Sequence, residues 1–387
     1  MGIAGTAADH WRSFRNRLLA SPAFQKFAVF FPPFRPISRS RSRQLFDLLA
    51  GFSYSQILYA VVKLGLIDML RESPLETSAI AARIGWAPAR AERLLKAAAA
   101  LDLLEVTSSG AYTLGIHGAA LAGNPWIAKF ITHHHALYED LSDPIALLKG
   151  ELGDTRLKRY WGYAGSSSSD AVDDANAAAY TALLAASQEA VAAEILNACD
   201  FSGNSHLIDV GGSNGTFIAA AAAAYPQLKF TLFDLPAVAE LGRRKFTESG
   251  LAQRVTVAGG SFLTGELPKG ADVATLIRIA HDHDDSSVLA VMKNIRRMLP
   301  DHGRLILAEP LSGVPSIAPV TDAYFGLYFA AMGQGRTRTL AEITGLARQA
   351  GFTSGRALKT RMPQYGAPEL QWETEDGDGR SRSGTAR

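Results

Sequence analysis

A parallel, doubly wound α/β sheet preceded by a smaller helical domain is the fold this sequence predicts. Three observations carry it. From residue 201 onward, short apolar runs alternate with helical segments, as in repeated βαβ units. The stretch Leu207–Gly215, L-I-D-V-G-G-S-N-G, runs a buried strand through a glycine-rich turn into a helix N-terminus. Before residue 125 the pattern changes to helix, turn, helix and two short strands.

The chain has 387 residues, 47% hydrophobic and 20% charged, enough for two domains with sizeable cores. Its net charge of +2 selects no partner. The single cysteine, Cys199, excludes internal disulfides and fits a reducing cytoplasm. No unbroken run of about 18 apolar residues occurs, so no spanning helix is predicted. Met1–His10 lacks the basic-then-apolar order of a signal peptide. Cytoplasmic location is the expectation.

Residues 1–45 form a basic, aromatic arm. Arg12, Arg15, Arg17, Lys26, Arg35, Arg39, Arg41 and Arg43 occur over residues 11–43 with no acid, interleaved with Trp11 and six phenylalanines. Such a segment suits an anionic membrane surface, or packing on a partner subunit. Residues 46–124 follow as a winged-helix unit. A helix over Phe46–Leu70 stops near Gly65. Helices at Thr77–Ile84 and Ala89–Leu101 flank a turn at Gly85–Pro88, and Pro88 suits a first helical turn. Leu103–Val106 and Ala111–Leu114 then form a hairpin. A ligand-sensing DNA-binding regulator would need a basic recognition helix. Ala89–Leu101 is dominated by Ala and Leu, so dimerisation is expected and nucleic acid is not.

Residues 125–200 read as mainly helical, with a Ser-rich break at Gly165–Asp170 and a helix over Asn176–Ala198. Residues 201–362 make the catalytic sheet. Its later strands lie at Lys229–Phe233, Arg254–Ala258, Val273–Ile279 and Arg304–Ala308, with helices at Thr216–Ala224, Ala237–Ser249, Ser286–Met298 and Thr339–Ala350. Residues 363–387 are expected to be a disordered tail.

In an open α/β sheet, ligands lie beyond the carboxyl ends of strands. A dinucleotide turn reads G-x-G-x-x-G. Here Gly211, Ser213 and Gly215 are two apart, and Asp209 precedes them. A carboxylate there repels a pyrophosphate, which disfavours a nicotinamide oxidoreductase. It suits a cationic ligand such as the amino-acid end of S-adenosylmethionine. Asp234, ending the second strand in F-D-L-P, takes ribose hydroxyls or caps the next helix. Gly259-Gly260-Ser261-Phe262, ending the third, can pack on an adenine.

The fourth strand ends in R-I-A-H-D-H-D-D. His281 at that position can accept a proton near neutral pH. The i, i+2 spacing of His281 and His283 places them on opposite faces of an extended segment, against a metal site. Asp284 or Asp285 caps the following helix. Glu309, ending the fifth strand in A-E-P, orients His281 or bonds local backbone.

In order, D-V-G-G-S-N-G, F-D-L-P, G-G-S-F-L, R-I-A-H-D-H-D-D and A-E-P resemble the motifs of class I S-adenosylmethionine-dependent small-molecule O-methyltransferases, the Rossmann-like group containing plant caffeate and animal acetylserotonin enzymes. The winged-helix segment resembles that group's dimerisation domain. S-R-S-R-Q-L-F-D-L-L-A-G-F-S-Y-S-Q, R-Y-W-G-Y-A and D-A-Y-F-G-L-Y-F-A-A-M-G-Q-G-R-T-R-T resemble, more narrowly, bacterial carotenoid O-methyltransferases of the demethylspheroidene or hydroxyneurosporene type, from purple photosynthetic bacteria. The resemblance spans roughly residues 12–362.

It implies a homodimer that methylates the tertiary hydroxyl of an acyclic carotenoid, with peripheral contact at the inner or photosynthetic membrane as an expectation. Asp209, Gly211, Gly212 and Gly215 would hold the methionine part of the cofactor, and Asp234 with Leu235 the ribose. Gly260, Ser261 and Phe262 would sit at the adenine, and Arg278 would close the site. His281 occupies the general-base position, with Glu309 and Asp282 setting its tautomer. His133, His134, His135 and Tyr138 line the acceptor pocket or form a solvated helix face. A phenol or a bacteriochlorophyll-type ring carbon is the alternative acceptor.

Several residues depart from the group's pattern. Ser213 stands for a glycine, Ser261 for an acid and His283 for a tryptophan. The second histidine-orienting acid, due near Gly335, is absent. After Arg361 only M-P-Q-Y-G-A-P-E-L-Q-W-E remains for a seventh strand, so an incomplete sheet edge is expected.

Overall fold

A computed structural model describes residues 6–160, 188–358 and 369–375. The chain divides into two compact units, Met1–Asn124 and Pro125–Arg387.

The first unit opens with α1 (Ala7–Ala20), α2 (Pro22–Phe30) and α3 (Arg35–Lys63). Thr6 and Asp9 form a capping box on α1, and Ser21 caps α2 ahead of Pro22. Neither helix buries a residue. The third helix begins at Arg35, well before the expected Phe46. Pro36 occupies its first turn, where a proline is tolerated, and the Ser/Arg run that follows contains no breaker. The segment Pro32–Lys63 is long and apolar enough to cross a membrane by length and composition, with a window of mean hydropathy 1.4. Such a window tolerates scattered polar residues that an unbroken apolar run does not.

Gly65, at φ 68°, turns the chain into α4 (Leu66–Arg71). Then come α5 (Thr77–Ile84), α6 (Pro88–Ala100), the antiparallel strands β1 (Leu104–Val106) and β2 (Tyr112–Leu114), and α7 (Ile116–Ala122). Ala91, Leu95 and Ala98 place one stripe of α6 in a core with Val61, Leu66, Ile80 and Leu104. Arg90 and Arg93 are exposed on its other side, and Lys96 pairs with Glu92 there.

The second unit begins with α8 (Pro125–Asp140), α9 (Pro144–Lys149) and α10 (Arg156–Tyr160). Residues 188–198 form a further helix, α11. The expected Ser-rich break and the start of the Asn176–Ala198 helix lie outside the described residues. The sheet then builds from β3 (His206–Val210), β4 (Lys229–Asp234), β5 (Val255–Gly259), β6 (Val273–Ile277) and β7 (Arg304–Pro310), all parallel. Helices α12 (Thr216–Ala224), α13 (Pro236–Glu248), α14 (Asp285–Met298), α15 (Phe325–Met332) and α16 (Leu340–Gln349) complete the unit. Period-two alternation feeds two cores. Ile208 and Val210 join Val288, Met292 and Ile295 on one face; Leu207 joins Phe217, Phe230 and Phe246 on the other.

The C-terminal edge differs from the expectation. β9 (Glu369–Glu375) lies inside the sheet, antiparallel to both β7 and β8 (Ser354–Leu358), in the order β5-β4-β3-β6-β7-β9-β8. Among the described residues the sheet therefore has seven strands, and part of the supposed tail is one of them. The prolines and glycine of M-P-Q-Y-G-A-P stop short of Glu369, and seven residues suffice for a strand.

Candidate active site

The strands β3, β4 and β5 run to one side of the sheet and β6 and β7 to the other, so the order reverses beside β3. That switch point gathers the carboxyl ends of all five strands into one crevice.

After β3 the chain turns sharply. Gly211 has φ 72° and donates its N–H to the Phe233 carbonyl at 2.8 Å. A side chain on Gly212 would place Cβ 2.5 Å from both Asp209 Oδ2 and Leu232 Cδ1. Ser213 takes the left-handed conformation, φ 54°, which a glycine would adopt without strain. Its N–H donates to Asp234 Oδ2 at 2.7 Å. Asp234 Oδ1 accepts from Leu235 N at 2.7 Å. Leu235, not Asp234, is the N-cap residue of α13, so Asp234 ties the two turns together.

Asp209 is buried. Its Oδ1 accepts from Thr275 Oγ1 at 2.7 Å, while Oδ2 has no partner among the described residues. The Ser213 hydroxyl is likewise buried and unpaired. Burial pushes the Asp209 carboxyl up to about 7, against the Thr275 bond and helped by the nearby Asp234 charge. Burial also pushes Asp234 up to about 6, against its two backbone N–H donors. A buried acid, a half-buried one, an orphan carboxylate oxygen and an orphan hydroxyl fit a ligand that brings positive charge and hydrogen-bonding groups. S-adenosylmethionine is such a ligand.

At the end of β5, Gly260 lies against the Phe233 ring, and Ser261 Oγ accepts from Leu263 N at 3.3 Å. Phe262 meets His283 edge to face at 5.5 Å. Burial holds His283 down to about 4, a neutral ring packed on Phe262. Arg278 has φ 57° and ends β6 earlier than expected, its N–H donating to the Ala308 carbonyl at 2.8 Å. Its charge bears on His281, Asp282 and Tyr324.

His281 sits in a 3₁₀ turn, Ala280–Asp282. Its Nδ1 lies 2.5 Å from Glu309 Oε2. Glu309 also accepts from Ile279 N at 2.9 Å, Ala280 N at 2.7 Å and His281 N at 3.3 Å. The two roles offered by the sequence, orienting the imidazole and bonding backbone, therefore coexist in one carboxylate. Nε2 of His281 lies 3.3 Å from Asp282 Oδ1. Burial opposes charge on the imidazole, yet Asp282 and Glu309 together raise its pKa. Burial raises that of Asp282. Asp284, the other candidate cap, accepts from Ser287 N at 2.7 Å and starts α14.

The histidines of α8 divide. His133 Nε2 is 2.8 Å from the Tyr328 hydroxyl and His134 Nε2 is 2.8 Å from that of Tyr324. His134 Nδ1–H donates to the Phe130 carbonyl at 2.6 Å, so its Nε2 accepts from Tyr324. Burial holds His133 near neutrality of charge, down to about 4, and lowers His134 as well. His135 points outward beside Glu139. From Tyr324 into α15, Tyr324, Phe325, Tyr328 and Phe329 make an aromatic wall between these histidines and His281, with Phe329 5.5 Å from the His281 ring. The sequence reading assigned the wall no role; its signal is the pair of i, i+4 aromatic repeats in Y-F-G-L-Y-F. Arg338 bonds the His281 turn from a distant segment and Gly335 packs against it, contacts that no local pattern announces.

The strand order, the turn after β3 and the acid after β4 define the class I S-adenosylmethionine-dependent methyltransferases. Within that class the chain belongs to the O-methyltransferase family: residues 138–353 match the O-methyltransferase domain, and residues 46–122 match the O-methyltransferase dimerisation domain. It is an S-adenosylmethionine-dependent O-methyltransferase carrying a dimerisation domain. It is 43% identical over 337 residues to a demethylspheroidene O-methyltransferase of Cereibacter sphaeroides, covering 87% of this chain and 88% of that one. It is 35% identical over 352 residues to a Rhodobacter capsulatus protein of the same name, covering 91% and 87%. The crystal structure of LaPhzM matches with a TM-score of 0.71 at 26% identity, covering 87% of this chain and 99% of that one. Human N-acetylserotonin methyltransferase in complex with S-adenosylmethionine matches in fold, with a TM-score of 0.71 at 22% identity over 87% and 98%.

Proposed function

We propose that this enzyme methylates the tertiary hydroxyl of an acyclic carotenoid of the demethylspheroidene or hydroxyneurosporene type. The observation that carries this reading is the 43% identity that runs across 88% of the Cereibacter demethylspheroidene enzyme. The aromatic wall adds support, because stacked rings give a polyene a flat apolar surface.

Bound S-adenosylmethionine supplies an electrophilic methyl on a sulfonium. The chain supplies position and a base. Asp209 and the turn Gly211–Gly215 would hold the methionine end, Asp234 with Leu235 the ribose, and Gly260, Ser261 and Phe262 the adenine, with Arg278 closing the site. His281 takes the hydroxyl proton. Its Nδ1–H donates to Glu309, which leaves the lone pair on Nε2. Asp282 stands beside that nitrogen, and its negative charge stabilises the imidazolium that forms when the proton arrives.

The test is mass spectrometry of carotenoids from a host that makes the hydroxylated precursor, with and without this chain. A gain of one methyl per hydroxyl is expected. An unchanged carotenoid pool, with labelled methyl passing instead to a phenol or a ring carbon, would overturn the acceptor.

An apolar acceptor dissolved in a membrane gives the arm a purpose. We infer that residues 7–43 lie on an anionic lipid surface. They precede the dimerisation match, carry eight cations over residues 11–43 with no acid, and leave Trp11 62% and Phe30 72% exposed. Flotation with anionic vesicles is expected to be lost on deleting residues 11–43 and weakened by salt. Unchanged flotation, or a deletion that only dissociates the dimer, would assign the arm to a subunit interface instead.

A further inference from the structure

The turn that carries His281 is held from two sides, and only one of them is the carboxylate already described. Glu309 collects the turn's N–H groups. Its carbonyls go elsewhere. Arg338, only 2% exposed, donates from Nη1 to the Ala280 carbonyl at 2.5 Å and from Nη2 to the His283 carbonyl at 2.7 Å. Those two carbonyls bracket His281 and Asp282. The N–H of Arg336 donates to the carbonyl between them, that of His281, at 2.9 Å. We propose that Arg338 is a positioning residue for the methyl-transfer reaction, clamping the Ala280–His283 turn so that the His281 imidazole stays registered on Glu309.

Arg338 is itself anchored to the strand that carries Glu309. Its backbone bridges Leu311 in parallel, and its carbonyl accepts from Ser312 N at 3.0 Å. One end of β7 thus presents a carboxylate to the turn's donors and, through the bridge, a guanidinium to its acceptors. Burying a guanidinium is costly unless its donors are met. Here they are met by the turn and by Asp285, whose Oδ1 accepts from Nε at 2.8 Å. The ion pair with Asp285 is half exposed on the acid's side, 51%, and such pairs contribute little to stability. The two carbonyls are therefore the contacts that justify an arginine. A lysine offers one ammonium and no planar fork, and cannot span both.

This inference rests on the reading of His281 as the base. Its test uses full-length Arg338→Lys, Arg338→Gln and Arg338→Ala, compared by melting temperature, S-adenosylmethionine affinity by calorimetry, kcat and the pH–rate profile. A shift of about 1 Å in a reacting group costs about 10²-fold, so kcat is expected to fall by that order in the lysine and glutamine variants. Cofactor affinity should stay within about twofold, the signature of an interaction used in turnover and not in binding. With the turn loosened, His281 moves away from the charges that raise it, and the acid limb should shift to lower pH. Added guanidinium should restore part of the kcat of Arg338→Ala.

An Arg338→Lys enzyme with native kcat and native pH profile would overturn the proposal. So would parallel losses of melting temperature, cofactor affinity and kcat without guanidinium rescue. His281→Ala separates the two readings. If it retains turnover, the base assignment fails; if it abolishes turnover while the Arg338 variants stay active, only the clamp fails.

Discussion

His281→Ala is expected to lower kcat by about 10²–10⁴-fold, the range for a positioned general base, while calorimetry still registers S-adenosylmethionine binding. The expectation follows from where the side chain sits. His281 touches Glu309 and Asp282, and none of the residues around the β3 turn depends on it for a hydrogen bond. Loss of cofactor binding together with turnover would mark it as structural. The pH dependence has a definite sign. The base must be neutral to accept a proton, so the rate rises with pH as His281 deprotonates. Burial pulls its pKa down, but Asp282 and Glu309 together carry it above the ordinary histidine value. The acid limb of the profile should therefore lie above the usual histidine range. Asp282→Asn removes one of the two raising charges, so the limb should move to lower pH. A limb that does not move would show that Asp282 does not act on His281.

Gly335→Ala is expected to be as damaging to turnover, although residue 335 carries no side chain and touches no substrate. The residue has φ 85°, and an added Cβ would collide with the His281 carbonyl oxygen. It would also lie 3.0 Å from the Asp282 carbonyl carbon and 3.1 Å from Asp282 Cα. These are backbone atoms, so no rotamer change relieves the contact. The left-handed conformation costs a non-glycine residue about 1–2 kcal/mol, and the collision must displace the His281 turn. We expect a lower melting temperature and a kcat loss of about 10²-fold. The same geometry explains the missing acid. A glutamate near this position cannot enter beside His281 while the glycine backbone rests on it, so Gly335→Glu should fail like Gly335→Ala. Native turnover in either variant would refute the contact. Glu309 and Asp282 supply both carboxylates that reach the imidazole rings' two nitrogens.

Much of this was legible in the sequence. The central strands are buried on both faces, so they appear as apolar runs, and the polar residues at or just beyond their carboxyl ends border the crevice. Asp209, Asp234, His281 and Glu309 could be found by that rule alone. Arg338 could not. Its contacts with Ala280 and His283 span 58 and 55 residues, and nothing in the spacing of R-T-R announces them. Burial of a long cation is a property of tertiary packing, not of local pattern. α3 starts well before the expected Phe46 because the basic run after Arg35 lacks the apolar periodicity that marks a helix, and Pro36 reads as a break. β9 was missed because the proline-rich approach to Glu369 weighed more than the short alternation after it.

The placement of β9 has a consequence for how the molecule is assembled. Among the described strands it is the last to leave the ribosome, yet it occupies an interior position, between β7 and β8. Until it arrives, β7 and β8 face a gap with unpaired backbone groups, the kind of edge that recruits strands from other chains. The strand at risk is the one bearing Glu309, which pairs with Leu370 in register. The nascent protein therefore holds an unfinished active-site strand from the synthesis of Arg304–Pro310 until Glu369–Glu375 follow. Its completion depends on seven residues that the chain delivers after everything they join.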